Sequence, residues 1–212
     1  MGKQPNVQIL LGEVTQLIPD EHKIVFNGKT FSYDHLVLAT GSGSSFFGKD
    51  NWRTFAPPMK ILEHAEEIRR RLLMAMEQAE QTPDPEARQF LQTVVVIGSG
   101  PSGCEMAGAA SRMLRWSLKD SYQQLDPTQT RILLIDPGDK VLRSMPEELS
   151  QEALQALQKT GVEFLQQSRV ESMRPGEVVV STPHGQQCIR AATVIWTAGV
   201  RASHLGQALE AT

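Results

Sequence analysis

A chain of 212 residues, 40% hydrophobic and 21% charged, is long enough for one large or two small soluble domains with a buried core. Its formal net charge of −3, with Arg69, Arg70 and Arg71 as the densest basic run, argues against nucleic acid as the main partner, because a phosphate backbone rewards a clustered basic face. No apolar stretch approaches the ~18 residues of a spanning helix, and MGKQPNVQ at the N-terminus lacks a signal-peptide core, so the cytoplasm is the expected compartment.

The first 41 residues read as β structure: VQILLGEVTQLIP, then KIVF, then TFSYDHLVLATG, with Asn27-Gly28 between the second and third runs. Asn-Gly is a strong hairpin signal because both central residues of a type I′ turn need positive φ. From Gly41 to Pro58 the composition shifts to Gly, Ser, Pro and aromatic residues, as in a loop or domain crossing. Over 59–80, Ile61, Ala65, Ile68, Leu72, Met76 and Ala79 recur at helical spacing and predict an amphipathic helix with the arginine run on its solvated side. Pro83 and Pro85 break it before a strand at Val94–Ile97. A long helix is predicted from Pro101 to about Tyr122, and LDPTQT then leads into a second strand, RILLI, completing one βαβ unit. PGDKVLRSM reads as a loop, and Pro146 opens the helix PEELSQEALQALQKT, which Gly161 closes. GVEFL, VESM and EVVVST follow as short strands with a Pro175-Gly176 turn. A His184-Gly185 turn then joins a hairpin to the last strand, QCIRAATVIW, which ends in TAGV.

The junction VVVIGSGPSGCEMAG sets GxGxxG between a β-branched strand and a helix, a device that holds a pyrophosphate at the helix N-terminus. Gly98 permits the tight turn, Gly100 lets the backbone approach the phosphates, and Gly103 lets the helix pack on the strand; Ser99, Pro101 and Ser102 complete the loop. The alternative is a plain glycine-rich turn. Counting about 20 residues onward reaches Asp120, but the acid that reads the ribose must stand at the tip of the second strand. Asp136, directly after RILLI, stands there. A carboxylate at that tip accepts from a ribose 2′-OH and repels a 2′-phosphate, so NADH is expected over NADPH, with Lys140 and Arg143 nearby.

Other reactive side chains carry weaker signals. Cys104 sits at a helix start, where a thiolate is favoured, yet with no second cysteine close in sequence it is expected to be a packed small residue. Cys188 is remote and no CxxC occurs, and the five histidines show no HxxxH spacing, so neither a disulfide framework nor a metal site is expected. Ser102 is no nucleophile elbow, since GxSxG would need glycine where Cys104 stands. Trp196 is expected in the core.

The motifs YDHLVLATG at 33–41, FFG at 46–48, APPMKILEHAEEIR, VVVIGSGPSGCEMAG, LDPTQTRILLIDPG, MPEELSQEALQALQKTGVEF and VIWTAGVRAS occur in an order that resembles the FAD-dependent pyridine nucleotide-disulfide oxidoreductase superfamily. The resemblance covers nearly all of the chain and is closest to the type II NADH:quinone dehydrogenases. It implies an α/β fold in which a Rossmann-like three-layer ββα NAD(H)-binding domain, residues 92–191, is inserted between partial segments of an FAD-binding domain, residues 1–48 and 192–212. Residues 49–91 form the crossing loop and helix.

The same resemblance implies FAD and NADH as cofactors. Thr40 and Gly41 would end a strand beneath the flavin, while Ala198, Gly199 and Val200 would form the second passage beside it. It places Glu105 near the nicotinamide and flavin rings, where the carboxylate tunes the rings or relays a proton, or only complements the helix dipole. Hydride would pass from NADH to FAD and electrons onward to a quinone; the alternatives are a ferredoxin-like or disulfide acceptor, or a non-catalytic nucleotide-binding module. An earlier GxGxxG and a later GD motif of that family do not occur, so the chain is expected to be an internal fragment. Membrane contact, at the inner face, would then come through a C-terminal part outside this sequence, and a homodimer is compatible. The flavin-side segments, 1–48 and 192–212, are expected to expose surface meant for strands outside this sequence, which favours aggregation.

Overall fold

The computed structural model describes residues 4–210; the first three residues of MGKQPNVQ and the last two of the chain lie outside the described residues. The chain divides into two compact units, Met1–Gly43 with Val200–Thr212, and Ser44–Gly199.

In the first unit, Val14–Ile18 (β1), Lys23–Phe26 (β2) and Lys29–Ser32 (β3) form an antiparallel meander. Asn27 and Gly28 take φ of 45° and 75°, the pair of positive values that the predicted turn requires. Asn27 also fastens the turn to the preceding chain: its side-chain oxygen accepts from the Glu13 amide at 2.9 Å, and its own amide donates to the Glu13 carbonyl at 2.9 Å. Two short strands, Ser42–Ser44 (β4) and Val200–Ala202, pair where the chain leaves and re-enters this unit. The helix His204–Glu210 packs on β1, where Leu17 and Leu205 are buried.

The strand expected at the end of TFSYDHLVLATG stops at Ser32, and VQILLG before β1 forms none. β-rich composition says only that residues suit a pleated, half-buried surface, and a strand also needs a neighbour to bond. Residues 36–40 have no ladder partner among the described residues, and Val37 is 89% exposed, as Leu11 is 99% exposed.

The second unit is three-layered. Its central sheet is parallel, in the order Thr193–Trp196, Thr93–Ile97 (β5), Arg131–Ile135 (β6) and Val162–Leu165 (β7). All five residues of β5 are buried, as a strand covered on both faces must be. Alternation sorts its side chains: Val94 and Val96 with Ile132 and Leu134 face one apolar cluster, while Val95 and Ile97 with Leu133 and Ile135 face the other. Each such side chain taken from water contributes roughly 1.5–3 kcal/mol. The first cluster is closed by the helices Leu62–Gln81 (α1), Pro101–Ser111 (α3) and Glu147–Lys159 (α4). The second is closed by an antiparallel sheet of Arg169–Arg174 (β8), Glu177–Thr182 (β9) and Gly185–Arg190 (β10), through Met173, Val178, Val180 and Ile189. Helix, parallel sheet and antiparallel sheet are the three layers expected. The last parallel strand, Thr193–Trp196, is β11, and QCIRAATVIW divides between it and β10 at Ala191 and Ala192.

Three helical expectations need correction. α1 starts at Leu62 rather than at residue 59, because Pro57–Met59 is held alongside β11: the Trp196 amide donates to the Pro57 carbonyl at 3.0 Å and the Met59 amide to the Trp196 carbonyl at 3.1 Å. QTPDPEARQ contains a helix, Pro85–Leu91 (α2), whose N-cap Asp84 accepts from the Ala87 amide at 3.0 Å, with Pro85 at the first helical position where proline is welcome. The helix after the glycine loop ends short of Tyr122. α3 passes at Arg112 into a π-helical turn, Arg112–Ser117, in which the Leu118 amide donates to the Met113 carbonyl at 3.2 Å. Beyond it, the Glu80 carboxylate of α1 accepts from the amides of Gln123, Gln124 and Leu125, taking up donors that a continuing helix would need. Burial of that carboxylate opposes its charge, but the three amides outweigh it and hold the group below its usual pKa.

Candidate dinucleotide-binding site

The site is assembled at the C-terminal edge of the parallel sheet, where β5 gives way to α3. Gly98 has φ 104° and its amide donates to the Ile135 carbonyl at 2.8 Å, so the turn hangs directly on the neighbouring strand. A Cβ there would lie 2.8 Å from the Ala198 nitrogen, which leaves room for glycine alone. A Cβ on Gly103 would run into the Gly98 carbonyl and come within 2.8 Å of the Thr197 hydroxyl, so α3 packs against the turn without a side chain between them. Gly100 is different. It is the N-cap of α3, no side chain caps the helix there, and a Cβ on it would meet nothing within 4 Å. The first-turn amides of Ser102 and Gly103 have no carbonyl four residues back within the helix. An uncapped helix mouth fronted by open space is a cradle for an anion.

Asp136 stands immediately after β6 and reaches back to this turn. One carboxylate oxygen accepts from the Ser99 amide at 2.7 Å, and the other from the Gly138 amide at 2.8 Å. Ser99 is buried, 1% exposed, and its carbonyl accepts from the Leu142 amide at 2.9 Å and the Cys104 thiol at 3.3 Å. The Ser99 amide is therefore committed to Asp136, and the donors left for a phosphate lie at Ser102 and Gly103 with Gly100 as the open approach. A carboxylate has about four lone-pair positions, so Asp136 holds two amides and keeps capacity for hydroxyl donors at its half-buried surface. The Arg143 side chain crosses the same corner, with its Cδ 2.5 Å from where a Gly138 Cβ would stand. Asp120, the acid at the nominal spacing, is exposed in the turn after the π-helical segment.

Cys104 is half-buried, and its pKa is pushed up to about 11, first by burial and then by the Asp136 charge, so it is a neutral packed thiol. Glu105 is exposed on α3 and, with Ser102 and Met106, lines one side of a cleft of about 550 Å³. The rest of the lining includes Met59, Lys60 and Ile61, which lead into α1, and Leu62 at its start. That lining escaped the sequence reading, although three large apolar residues falling around a helix start were a visible signal.

The chain returns from β11 into the same corner. Trp196 is core, 3% exposed and stacked on Phe46 at 4.9 Å between ring centroids, with its indole N–H donating to the Ser45 carbonyl at 2.9 Å. Gly199 has φ 72°, and a Cβ on it would lie 2.5 Å from the Ser45 carbonyl oxygen and 2.9 Å from the Phe47 ring. The structure thus brings residues 98–103, Asp136, Ala198 and Gly199 together within one unit. Thr40, Gly41 and Val200 belong to the other unit. There the Thr40 hydroxyl lies 2.5 Å from that of Ser203, Gly41 takes φ 67° in open space, and Val200 is 73% exposed. Thr197, whose hydroxyl lies against the Ile97 and Gly98 carbonyls, was overlooked inside the motif WTAGV. Among the described residues no group of His, Cys, Asp and Glu is arranged to hold a metal ion.

A parallel sheet with a glycine turn at the mouth of a helix and an acid at the tip of the next strand defines an α/β domain of the Rossmann type. A family model described as pyridine nucleotide-disulphide oxidoreductase matches residues 2–212, and the chain belongs to that family. It is 41% identical over 214 residues to the type II NADH:quinone oxidoreductase Ndh of Mycobacterium tuberculosis, covering 99% of this chain and 46% of that protein. To the type II NADH:quinone oxidoreductase NdhA of the same organism it is 34% identical over 212 residues, covering 98% of this chain and 45% of that one. Among solved structures it is similar to NDH2 from Plasmodium falciparum in complex with NADH, with TM-score 0.82 and 20% identity over 93% of this chain and 42% of that one. At that identity the likeness concerns the fold. The chain spans less than half the length of these relatives.

Proposed function

We propose that this chain is the NADH-binding part, with adjoining flavin-side segments, of an FAD-dependent oxidoreductase that passes electrons from NADH to a quinone at the inner face of a membrane. The observation that carries the reading is Asp136, placed at the tip of β6 with both oxygens engaged by backbone amides, beside an uncapped helix mouth. The names of the two mycobacterial relatives support the quinone as acceptor.

The residues present fit the nucleotide. Open space before Gly100 admits a pyrophosphate to the amides of Ser102 and Gly103, and Asp136 accepts from ribose hydroxyls while repelling a 2′-phosphate. For the flavin, Gly41 turns at φ 67° with open space where a Cβ would stand, so a flat group can approach its backbone. A bound nicotinamide supplies a hydride, and a bound flavin takes it up and hands electrons to the acceptor. Glu105 sets a carboxylate in the cleft along α3, and Met59, Ile61 and Leu62 give that cleft an apolar surface.

The test is the visible spectrum of the protein expressed from its complete reading frame. A yellow preparation bleached by NADH and restored by a soluble quinone is expected; a colourless one, or one bleached by NADPH alone, would overturn the assignment.

A further inference from the structure

We infer that Thr197 is a positioning residue for the dinucleotide site, acting through the Gly98–Ser99 peptide; the inference rests on the NADH reading above. The Thr197 amide donates to the Ile97 carbonyl at 2.9 Å, extending the β11–β5 ladder by one step. Its hydroxyl then lies 2.8 Å from the Ile97 carbonyl oxygen and 2.9 Å from that of Gly98. Ile97 already has the Thr197 amide as donor, so the hydroxyl proton is needed at Gly98. The Gly98 carbonyl is buried against Gly103 of α3, and among the described residues the Thr197 hydroxyl is its one hydrogen-bond donor.

That carbonyl shares a peptide plane with the Ser99 N–H, which donates to Asp136 at 2.7 Å. A planar peptide has no internal freedom, so Thr197 at one end and Asp136 at the other clamp a single rigid unit. Its rotation sets two things at once: the direction of the chain into Gly100 and the mouth of α3, and the orientation of the carboxylate that reads the ribose. The third glycine serves the same clamp, since a Cβ on Gly103 would come within 2.8 Å of the Thr197 oxygen. The hydroxyl is turned into the Ile97 and Gly98 carbonyls, and through that peptide it orders the Ser99–Asp136 pair.

The experiment uses the protein from its complete reading frame with Thr197→Val, which keeps the shape and removes the hydroxyl, and Thr197→Ser, which keeps the hydroxyl. NADH and NADPH affinities are titrated by calorimetry, with kcat and KM measured alongside. Losing one oriented hydrogen bond predicts roughly tenfold weaker NADH binding for Val, a raised KM at nearly unchanged kcat, and a reduced preference for NADH over NADPH, all restored by Ser. Should Val fail to fold, Thr197→Ala against Thr197→Ser carries the same contrast. Wild-type NADH affinity in Val or Ala, or equal losses in Ser and Val, would overturn the inference while leaving the NADH reading intact. If the unmutated protein binds no NADH, both fall.

Discussion

At the scale of single residues, carboxylates in this chain are used as backbone staples. Asp136 holds Ser99 and Gly138, Glu80 holds residues 123–125, and Asp84 and Asp126 each cap a short helical turn. Glu67 works differently, pairing with Arg70 and Arg71 on α1, while Arg71 also donates to the Phe55 carbonyl at 3.1 Å. Hydrogen bonds from Arg70, then Arg71, lower the Glu67 pKa from 4.5 to about 2. A depressed folded-state value means that the stabilisation is fully present above pH 4.5 and is lost as the pH falls toward about 2. Glu67→Gln should therefore lower stability above pH 4.5 and flatten the acid limb below it, so that the variant and wild-type curves converge toward pH 2, read by thermal melts from pH 2 to 6. The position of Asp136 was legible because it follows an apolar strand. Its commitment to two amides was not, because that depends on loop conformation, including Leu142 held at φ 50° so that its amide meets Ser99.

At the scale of elements, periodicity located the strands and helices that bury a face, and local chemistry decided where they end. The buried stripe of α1 contains Ile68, Leu72, Met76 and Ala79, all on the predicted face, yet its start was set by the β11 contact with Pro57–Met59, which no periodicity reports. Asp84-Pro85 reads both as a breaker after α1 and as the cap of α2, and the sequence reading took only the first sense. Asp84→Ala should lower stability by about 0.5–2 kcal/mol, the usual cost of a lost N-cap, measurable by denaturant melts, and Asp84→Ser should recover most of it. The π-helical turn at Arg112–Ser117 was hidden because its cause is remote: Ser111 donates to the Thr160 carbonyl at 2.5 Å and Arg115 to the Thr130 carbonyl at 3.1 Å, fixing the helix on the α4–β7 corner.

At the scale of the whole molecule, the three-layer unit was legible from alternating strands and glycine turns, and the flavin-side unit much less so. Its Val37 and Leu11 lie almost fully exposed, and composition alone does not tell a paired strand from an apolar run that has no ladder among the described residues. No described helix is long and apolar enough to cross a membrane. What joins the fold to the proposed function is the Asp136 corner, where one carboxylate fastens the glycine turn and is proposed to select the nucleotide. The most direct measurement is the ratio of NADH to NADPH affinity in the protein from its complete reading frame, before and after Asp136→Asn, with folding checked by melting temperature. A preference for NADH of roughly tenfold or more, about 1.4 kcal/mol, that collapses in a folded Asp136→Asn protein is the predicted result. A wild-type preference for NADPH, or an unchanged ratio in the folded variant, would contradict it.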